Sequence, residues 1–225
     1  MDWTAFLLTL KLAGVVCSLL VLVGLPIAYW LAFSGWRWKF LAEAVVGLPL
    51  VLPPTVLGFY LLLLFGPHSV LGRSWDAVFG SPLPFTFRGL VFASVLYSLP
   101  FMVQPVAAAF ASIDSKLIGA SATLGASRLT TFRRVLLPLS FGGVLTGIVL
   151  SFAHTLGEFG VVLMVGGNIP GRTRTLSISI YDRVQALDYA AAGRTSLMLL
   201  VLSFVILAGV YRTSRRRGPL WPDAG

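Results

Sequence analysis

His154 and Glu158 are the residues whose types and spacing best suit chemistry in this sequence. They stand four positions apart in an apolar stretch, so on a helix they would share one face and could hydrogen-bond to each other. A histidine beside a carboxyl group can transfer protons or bind a metal ion. We favour the alternative of an interior polar contact between packed helices, because no second acidic residue lies well inside an apolar stretch.

Other kinds of chemistry lack the residues they need. The sequence holds 2 histidines and 1 cysteine, Cys17, so we expect no disulfide, no thiolate cluster and no histidine-rich metal site. No G-x-x-x-x-G-K-[ST] phosphate loop occurs, so we expect this chain not to hold ATP in that way. The sequence therefore predicts a protein with no catalytic residue and no cofactor.

The elements that must position these residues are membrane helices. The chain is 57% hydrophobic and 11% charged over its 225 residues, with a mean hydropathy of +0.89. A helix needs about 20 apolar residues to cross a bilayer core of roughly 30 Å. We predict an all-α polytopic membrane protein that forms a single domain over residues 1–225. Its predicted spans lie near residues 9–33, 42–65, 89–112, 138–159 and 190–211.

The formal net charge of +9 follows membrane topology, and we expect no nucleic-acid partner. Basic residues are concentrated in three connecting segments that would share one side of the bilayer. These residues are Arg37 and Lys39, then Lys116, Arg128, Arg133 and Arg134, and finally Arg212, Arg215, Arg216 and Arg217. Because positively charged segments stay in the cytoplasm, the pattern predicts an outward N-terminus and a cytoplasmic C-terminus.

Prolines and small residues shape the predicted spans. Pro49, Pro53 and Pro54 should kink or break the second span, either as a packing feature or as the lining of a pathway. Pro100 and Pro105 repeat the pattern in the third span. In the fourth span a ridge of small residues every four positions would let another helix approach closely. The ridge consists of Gly143, Gly147, Ser151 and Thr155.

Two polar segments lie outside the predicted spans. Within residues 157–193 a short apolar run, a turn and a polar-apolar segment should form a re-entrant or interfacial element, in which Arg172 and Arg174 either bind an anion or are simply solvated. Residues 114–137 should form two short helices, with Asp114 as the first N-cap and Gly125 as an interruption. Anionic headgroups could hold that second segment at the membrane surface.

The spacing within residues 114–137 fits a protein partner better than lipid alone. One spacing pattern resembles the cytoplasmic loop motif of bacterial ABC-importer permeases: Gly125 is followed by nine residues, then Val135, one further residue and Leu137-Pro138. The chain departs from that motif at Gly119-Ala120-Ser121, where the family has Glu-Ala-Ala. Three further stretches are similar to the molybdate-transport permeases of this superfamily. They are "LPLVLPPTVLGFYLLLLFG" at 48–66, "LGEFG" at 156–160 and "GNIPGRTRTLSISIYD" at 167–182.

The resemblance implies a type I ABC-importer permease architecture in the bacterial cytoplasmic membrane. It implies a homodimer, a cytoplasmic ABC ATPase dimer and an extracytoplasmic oxyanion-binding protein as partners, and transport by alternating access. A coupling helix between the third and fourth spans would contact the ATPase through Ala120, Ser121, Leu124, Gly125 and Arg128. The translocation path would be lined by the second to fourth spans, with Thr55, Gln104 and Glu158 as polar candidates.

Three functions stay open at this point. The first is ATP-driven import of molybdate, or of the similar tungstate ion. The second keeps the same architecture with sulfate or another small solute as the cargo. The third is an ATPase-independent channel or an intramembrane enzyme that uses His154 and Glu158.

Overall fold

The computed structural model describes residues 2–215, and within this range the chain is helical with no β-strand. The α-helices in chain order are α1 (Trp3–Phe33), α2 (Lys39–Val51), α3 (Pro54–Phe65), α4 (Val70–Phe79), α5 (Phe87–Ala111), α6 (Ser115–Thr123), α7 (Arg128–Thr131), α8 (Leu137–Leu139), α9 (Phe141–Gly157), α10 (Gly160–Gly166), α11 (Leu176–Gln185) and α12 (Tyr189–Arg215). A π-helical turn, Phe132–Leu136, joins α7 to α8.

Three of these helices are long and apolar enough to cross a membrane alone, namely α1, α5 and α12. Two further pairs meet the same criteria only together, because each pair is sharply bent. The bend is 114° between α2 and α3, and 74° between residues 128–139 and α9. Three of the five apolar stretches seen in the sequence therefore correspond to continuous helices, the second stretch corresponds to the bent pair of α2 and α3, and the fourth corresponds mainly to α9.

The break between α2 and α3 follows from the proline pair. Leu52 is extended, with φ −73° and ψ 135°, as expected for a residue that precedes a proline. Pro54 then occupies the first turn of α3, where its missing N–H costs no hydrogen bond. The predicted break in this span is confirmed, whereas Pro100 and Pro105 lie inside α5, which continues for 25 residues.

Helix α5 lies at the centre of the bundle and packs against α1 and α9. Lys11 of α1 lies over Phe87, and Tyr29 lies against Phe110, so α1 and α5 run parallel. The segments that follow these two helices therefore meet at one end of the bundle, as predicted for the first two basic segments. Of the third basic segment, Arg216 and Arg217 lie outside the described residues.

The predicted ridge of small residues on α9 is confirmed. A side chain on Gly143 would clash with the Ala109 side chain and with the Pro105 carbonyl group. At Gly147 an added Cβ would lie 3.0 Å from the Met102 carbonyl oxygen. The glycines therefore allow α9 to approach the backbone of α5 closely, which is how helices associate without a hydrophobic driving force between them.

Candidate functional site

A cavity of about 560 Å³ lies where α3 begins and α9 ends. The cavity exists because the breaks after Leu52 and at Glu158 leave space between the helix ends. Helices α5 and α10 complete its wall. Its lining residues are Pro54, Thr55, Tyr97, Ala153, His154, Gly157, Glu158, Phe159, Gly160, Leu163 and Met164. The lining is mostly apolar, with a few polar groups, as is common for small-molecule sites.

Glu158 is the unusual member of this lining. It is only 5% exposed, and neither of its carboxyl oxygens has a hydrogen-bond partner among residues 2–215. The hydroxyl group of Ser94 faces this carboxyl group and is its nearest donor, but the two do not meet hydrogen-bond geometry, and Ser94 has no other side-chain partner among residues 2–215. A buried polar group without a partner costs free energy, so the Glu158 carboxyl group is available to any donor or water that enters the cavity.

His154 makes its contacts across the helix interface. Its Nδ1 lies 2.9 Å from the Ser98 hydroxyl of α5, and its ring stacks on Phe101 at a centroid distance of 4.1 Å. Ser98 also lies 3.2 Å from the Thr155 hydroxyl, which itself donates to the Ser151 carbonyl oxygen. The interior polar contact favoured for His154 is therefore present in the structure.

The predicted hydrogen bond between His154 and Glu158 is wrong. Helix α9 ends at Gly157, and Glu158 has an extended backbone with ψ 132°. The four-residue spacing therefore no longer places the two side chains one helical turn apart. Both residues line the cavity, but each has a separate environment.

The structure brings together two of the three predicted path residues. Thr55 and Glu158 line the same cavity. Gln104 lines a second cavity of about 320 Å³, together with the ion pair Lys39–Glu43, whose Nζ and Oε1 lie 3.4 Å apart. Tyr97, which lines the first cavity, is seven residues before Gln104 on α5, so both lie on one face of that helix about two turns apart.

Sequence reasoning missed the contribution of α10. Val161 and Val162 are fully buried, and the helix packs against α3 and α5. A Cβ on Gly58 of α3 would lie 2.6 Å from the Met164 Cβ, so this glycine sets the closeness of the packing. The burial of α10 favours the re-entrant alternative for this segment. In the sequence, the helix itself was indicated by its seven-residue apolar run.

The loop after α10 is fixed by its own side chains. Arg174 donates from Nε to Asn168 Oδ1 at 2.8 Å and lies 3.5 Å from Asp182 Oδ2. The Asn168 amide donates to both carboxyl oxygens of Asp182 at 2.9 Å. Arg174 therefore has a structural role in this loop, while Arg172 stays exposed.

Residues 114–137 project from the end of the bundle. Asp114 caps α6 by accepting from the Lys116 backbone N–H at 2.8 Å, as predicted. Gly125 has φ +76°, and the N–H of Ala126 bonds the Ser121 carbonyl oxygen while the N–H of Gly125 bonds that of Ala122. These bonds form a Schellman motif, which normally requires glycine at the left-handed position.

The five predicted coupling residues surround this turn. Helix α6 has no buried residue, and Leu124 is 86% exposed. Ala120, Gly125 and Arg128 are also exposed, while Ser121 is half-buried with its hydroxyl 2.9 Å from that of Thr131. An exposed leucine beside a rigid turn is the kind of feature that a partner protein can bind.

Aromatic packing connects this projecting segment to the spans. Phe132 lies edge-on to Tyr29 of α1, with ring centroids 5.7 Å apart, and 6.0 Å from Phe110 of α5. The same segment continues through the π-helical turn and α8 into α9. A force applied at α6 and α7 would therefore reach α1, α5 and α9 through packed side chains and backbone.

Comparison with known proteins gives one matching family and many full-length relatives. The model of the family described as "Binding-protein-dependent transport system inner membrane component" matches residues 24–217. The "Molybdenum transport system permease protein ModB" of Azotobacter vinelandii is 49% identical over 97% of both chains. The protein of the same name from Escherichia coli K12 is 38% identical over 96% of both chains.

A more distant relative is named for a different cargo. The "Sulfate transport system permease protein CysT" of Salmonella typhimurium is 33% identical over 95% of this chain and 77% of its own. Among solved structures, a chain of the inward-facing MetNI methionine ABC transporter matches with a TM-score of 0.74 at 19% identity, covering 96% of both chains. A chain of a bacterial ABC transporter for alginate import also matches with a TM-score of 0.74 at 19% identity, covering 94% of this chain and 79% of its own.

Proposed function

This chain belongs to the family of binding-protein-dependent transport system inner membrane components, and we propose that it is the permease subunit of an ATP-driven molybdate importer. The chain is a multi-pass membrane protein with the fold of ABC-importer permeases. The observation that carries the molybdate assignment is the 49% identity to a molybdenum transport permease over 97% of the chain.

The permease itself performs no catalysis in this proposal, and ATP hydrolysis belongs to a separate cytoplasmic ATPase dimer. The exposed projection around Gly125 is the contact surface for that ATPase, formed by Ala120, Ser121, Leu124, Gly125 and Arg128. This placement puts the C-terminus and the projection in the cytoplasm and the N-terminus outside the bacterial inner membrane. A loaded oxyanion-binding protein would then dock at the opposite end of the bundle.

The cavity lined by Thr55 and Glu158 is the part of the translocation path that one chain supplies. The face of α5 that carries Tyr97 and Gln104 extends this path toward the ATPase end. A second copy of the permease would close the path in a homodimer, with residues 1–225 of each copy acting as one domain. Motion of the projection, transmitted through Phe132, would open the path alternately to each side.

The path suits an anion that passes without being held tightly. A doubly charged oxyanion is strongly disfavoured in a low dielectric unless donors or water replace its hydration. Hydroxyl and amide groups along the path, from Thr55, Tyr97 and Gln104, can donate hydrogen bonds. Within the part of the chain that the structure describes, no Lys or Arg lines the cavity of Glu158. Tight selection of the cargo therefore belongs to the binding protein.

Cellular molybdenum content tests the proposed cargo. A strain that lacks this chain should contain much less molybdenum at limiting external molybdate, and restoring the chain should return the metal to its normal content. Excess sulfate should not reduce the restored uptake. Equal molybdenum in both strains would contradict the molybdate assignment.

Sulfate is the second candidate cargo, because a sulfate permease is 33% identical to this chain. Both ions are tetrahedral dianions, so the path itself discriminates little between them. Competition by excess sulfate, with no competition by tungstate, would move sulfate to first place. Competition by tungstate alone would leave molybdate and tungstate as alternative cargoes of one importer.

Glu158→Gln separates the importer from a proton-transferring enzyme or channel. The amide keeps the shape and polarity of the side chain but cannot exchange a proton, so in an importer that needs no proton transfer here uptake should stay within about threefold of the unaltered protein. Asp76→Asn, which alters an exposed carboxyl group of α4 that lines neither the cavity of Glu158 nor that of Gln104, is the matched control. The measurement is the initial rate of molybdate uptake. Loss of all uptake in Glu158→Gln, with normal assembly of the complex, would favour a proton-transfer role.

A further inference from the structure

A further cavity, separate from those of Glu158 and Gln104, lies at the end of the bundle where α1 and α5 begin. Its volume is about 530 Å³, and it is distinct from the cavity of Glu158. Three cationic side chains from distant parts of the sequence line it: Lys11 of α1, Arg88 of α5 and Arg172 of the loop before α11. The parallel packing of α1 and α5 brings the first two of them together.

Among residues 2–215, no acidic residue lines this cavity. Neighbouring arginines of the same part of the chain do have acidic partners, since Arg174 pairs with Asp182 at 3.5 Å and Arg183 pairs with Asp188 at 3.6 Å. The three lining cations have no ion pair within the described residues.

Two of the three cations lie over aromatic rings instead. Lys11 Nζ is 4.8 Å from the centroid of Phe87, and the Arg88 guanidinium is 5.4 Å from that of Phe79. Contacts of this kind hold a cation in place but leave its charge uncompensated. Three such charges around one cavity repel one another, so an anion of matching size would be stabilised there.

Thr4, Ser81 and Thr86 also line the cavity, and the rest of its wall is apolar. Leu7, which is 63% exposed, stands one helical turn before Lys11, and Trp75 stacks on Phe79 at a centroid distance of 4.1 Å. Beyond Lys11 the exposed face of α1 continues through Val15 and Leu22, the latter 70% exposed. A lysine stem near a helix end turns its ammonium group toward the interface, so a charged end and an apolar strip adjoin here.

We propose that this cavity binds an anionic phospholipid from the leaflet at that end of the bundle. The phosphate group lies among Lys11, Arg88 and Arg172, and an acyl chain lies along the exposed face of α1 through Val15 and Leu22. A free oxyanion shares the phosphate chemistry but would leave the apolar strip unused, which favours the lipid. The bound lipid would join α1, α5 and the loop at Arg172, independently of which cargo the importer carries.

Thermal unfolding of the purified full-length permease with its ATPase, in detergent, tests the proposal. Added phosphatidylglycerol should raise the unfolding midpoint, since a ligand of the folded state stabilises it, while phosphatidylcholine and inorganic phosphate should not. The double variant Lys11→Gln, Arg172→Gln should lose this response and should retain about fivefold less phosphatidylglycerol, as counted by mass spectrometry of the purified complex. Arg73→Gln is the matched control, because Arg73 is an exposed cation of α4 that does not line the cavity.

Three results would overturn the proposal. An equal response to phosphatidylcholine would remove the role of the headgroup charge. An unchanged response in the double variant would exclude the three-cation cavity as the site. A response to inorganic phosphate that blocks the phosphatidylglycerol effect would assign the cavity to a free anion. If the double variant does not accumulate in cells, the single variants Lys11→Gln and Arg88→Gln test the proposal instead. The phosphatidylglycerol that each retains is counted in the same way, and this measurement does not depend on uptake.

Discussion

Replacing Gly125 with valine is expected to lower molybdate uptake by about tenfold or more while ATP hydrolysis by the partner subunit continues. The space around Gly125 is open, so the effect comes from the backbone and not from a clash. At φ +76° a β-branched residue is strained by about 1–2 kcal/mol or more. The Schellman bonds from Ala126 to Ser121 and from Gly125 to Ala122 would be lost, and Leu124 and Arg128 would no longer keep their relative positions.

A pair of alanine variants provides the control for Gly125. Gly119→Ala adds one methyl group to the same projection at an ordinary helical position with open space around it. Gly125→Ala adds the same group at the left-handed position, so only the second variant should impair uptake. Uptake and ATP hydrolysis would be measured on the same vesicles. Normal uptake in Gly125→Val would contradict the assignment of this projection as the ATPase contact.

The parts of the fold that depend on local sequence were predictable. Hydropathy located the apolar stretches, Pro53 and Pro54 predicted the break, and Asp114 and Gly125 predicted the two ends of α6. Each of these features rests on a single residue type with a strong backbone preference. The bend of 114° that results depends on what α3 packs against, and periodicity contains no information about it.

The parts that depend on tertiary contacts were not predictable from the sequence. Glu158 was placed one turn from His154 on a continuing helix, but the helix ends one residue before Glu158. His154 bonds Ser98, which is 56 positions away in the chain. The convergence of Lys11, Arg88 and Arg172 likewise results from parallel packing of α1 and α5, which no local pattern indicates.

Replacing Gly157 with phenylalanine is expected to reduce uptake by about tenfold or more with the complex still assembled. Gly157 lines the cavity of Glu158, and an added Cβ there would meet no atom within 4 Å. The aromatic ring would therefore occupy the cavity without displacing the surrounding helices. Tyr97, the α5 residue of the cavity wall, lies about four turns before the end of α5 that leads to the projection around Gly125, so assembly with the ATPase should be normal.

Gly193→Phe is the matched control for this substitution, because Gly193 is an exposed position of α12 with equally open space and does not line the cavity. Uptake by the Gly193→Phe variant should be unchanged. Normal uptake by the Gly157→Phe variant would mean that the translocation path lies elsewhere. Comparison with Glu158→Gln then separates two properties of adjacent residues. Glu158→Gln removes the carboxyl group and keeps the space, whereas Gly157→Phe removes the space and keeps the carboxyl group. A block in the second variant alone means that the cavity limits transport by its volume and not by the carboxyl group.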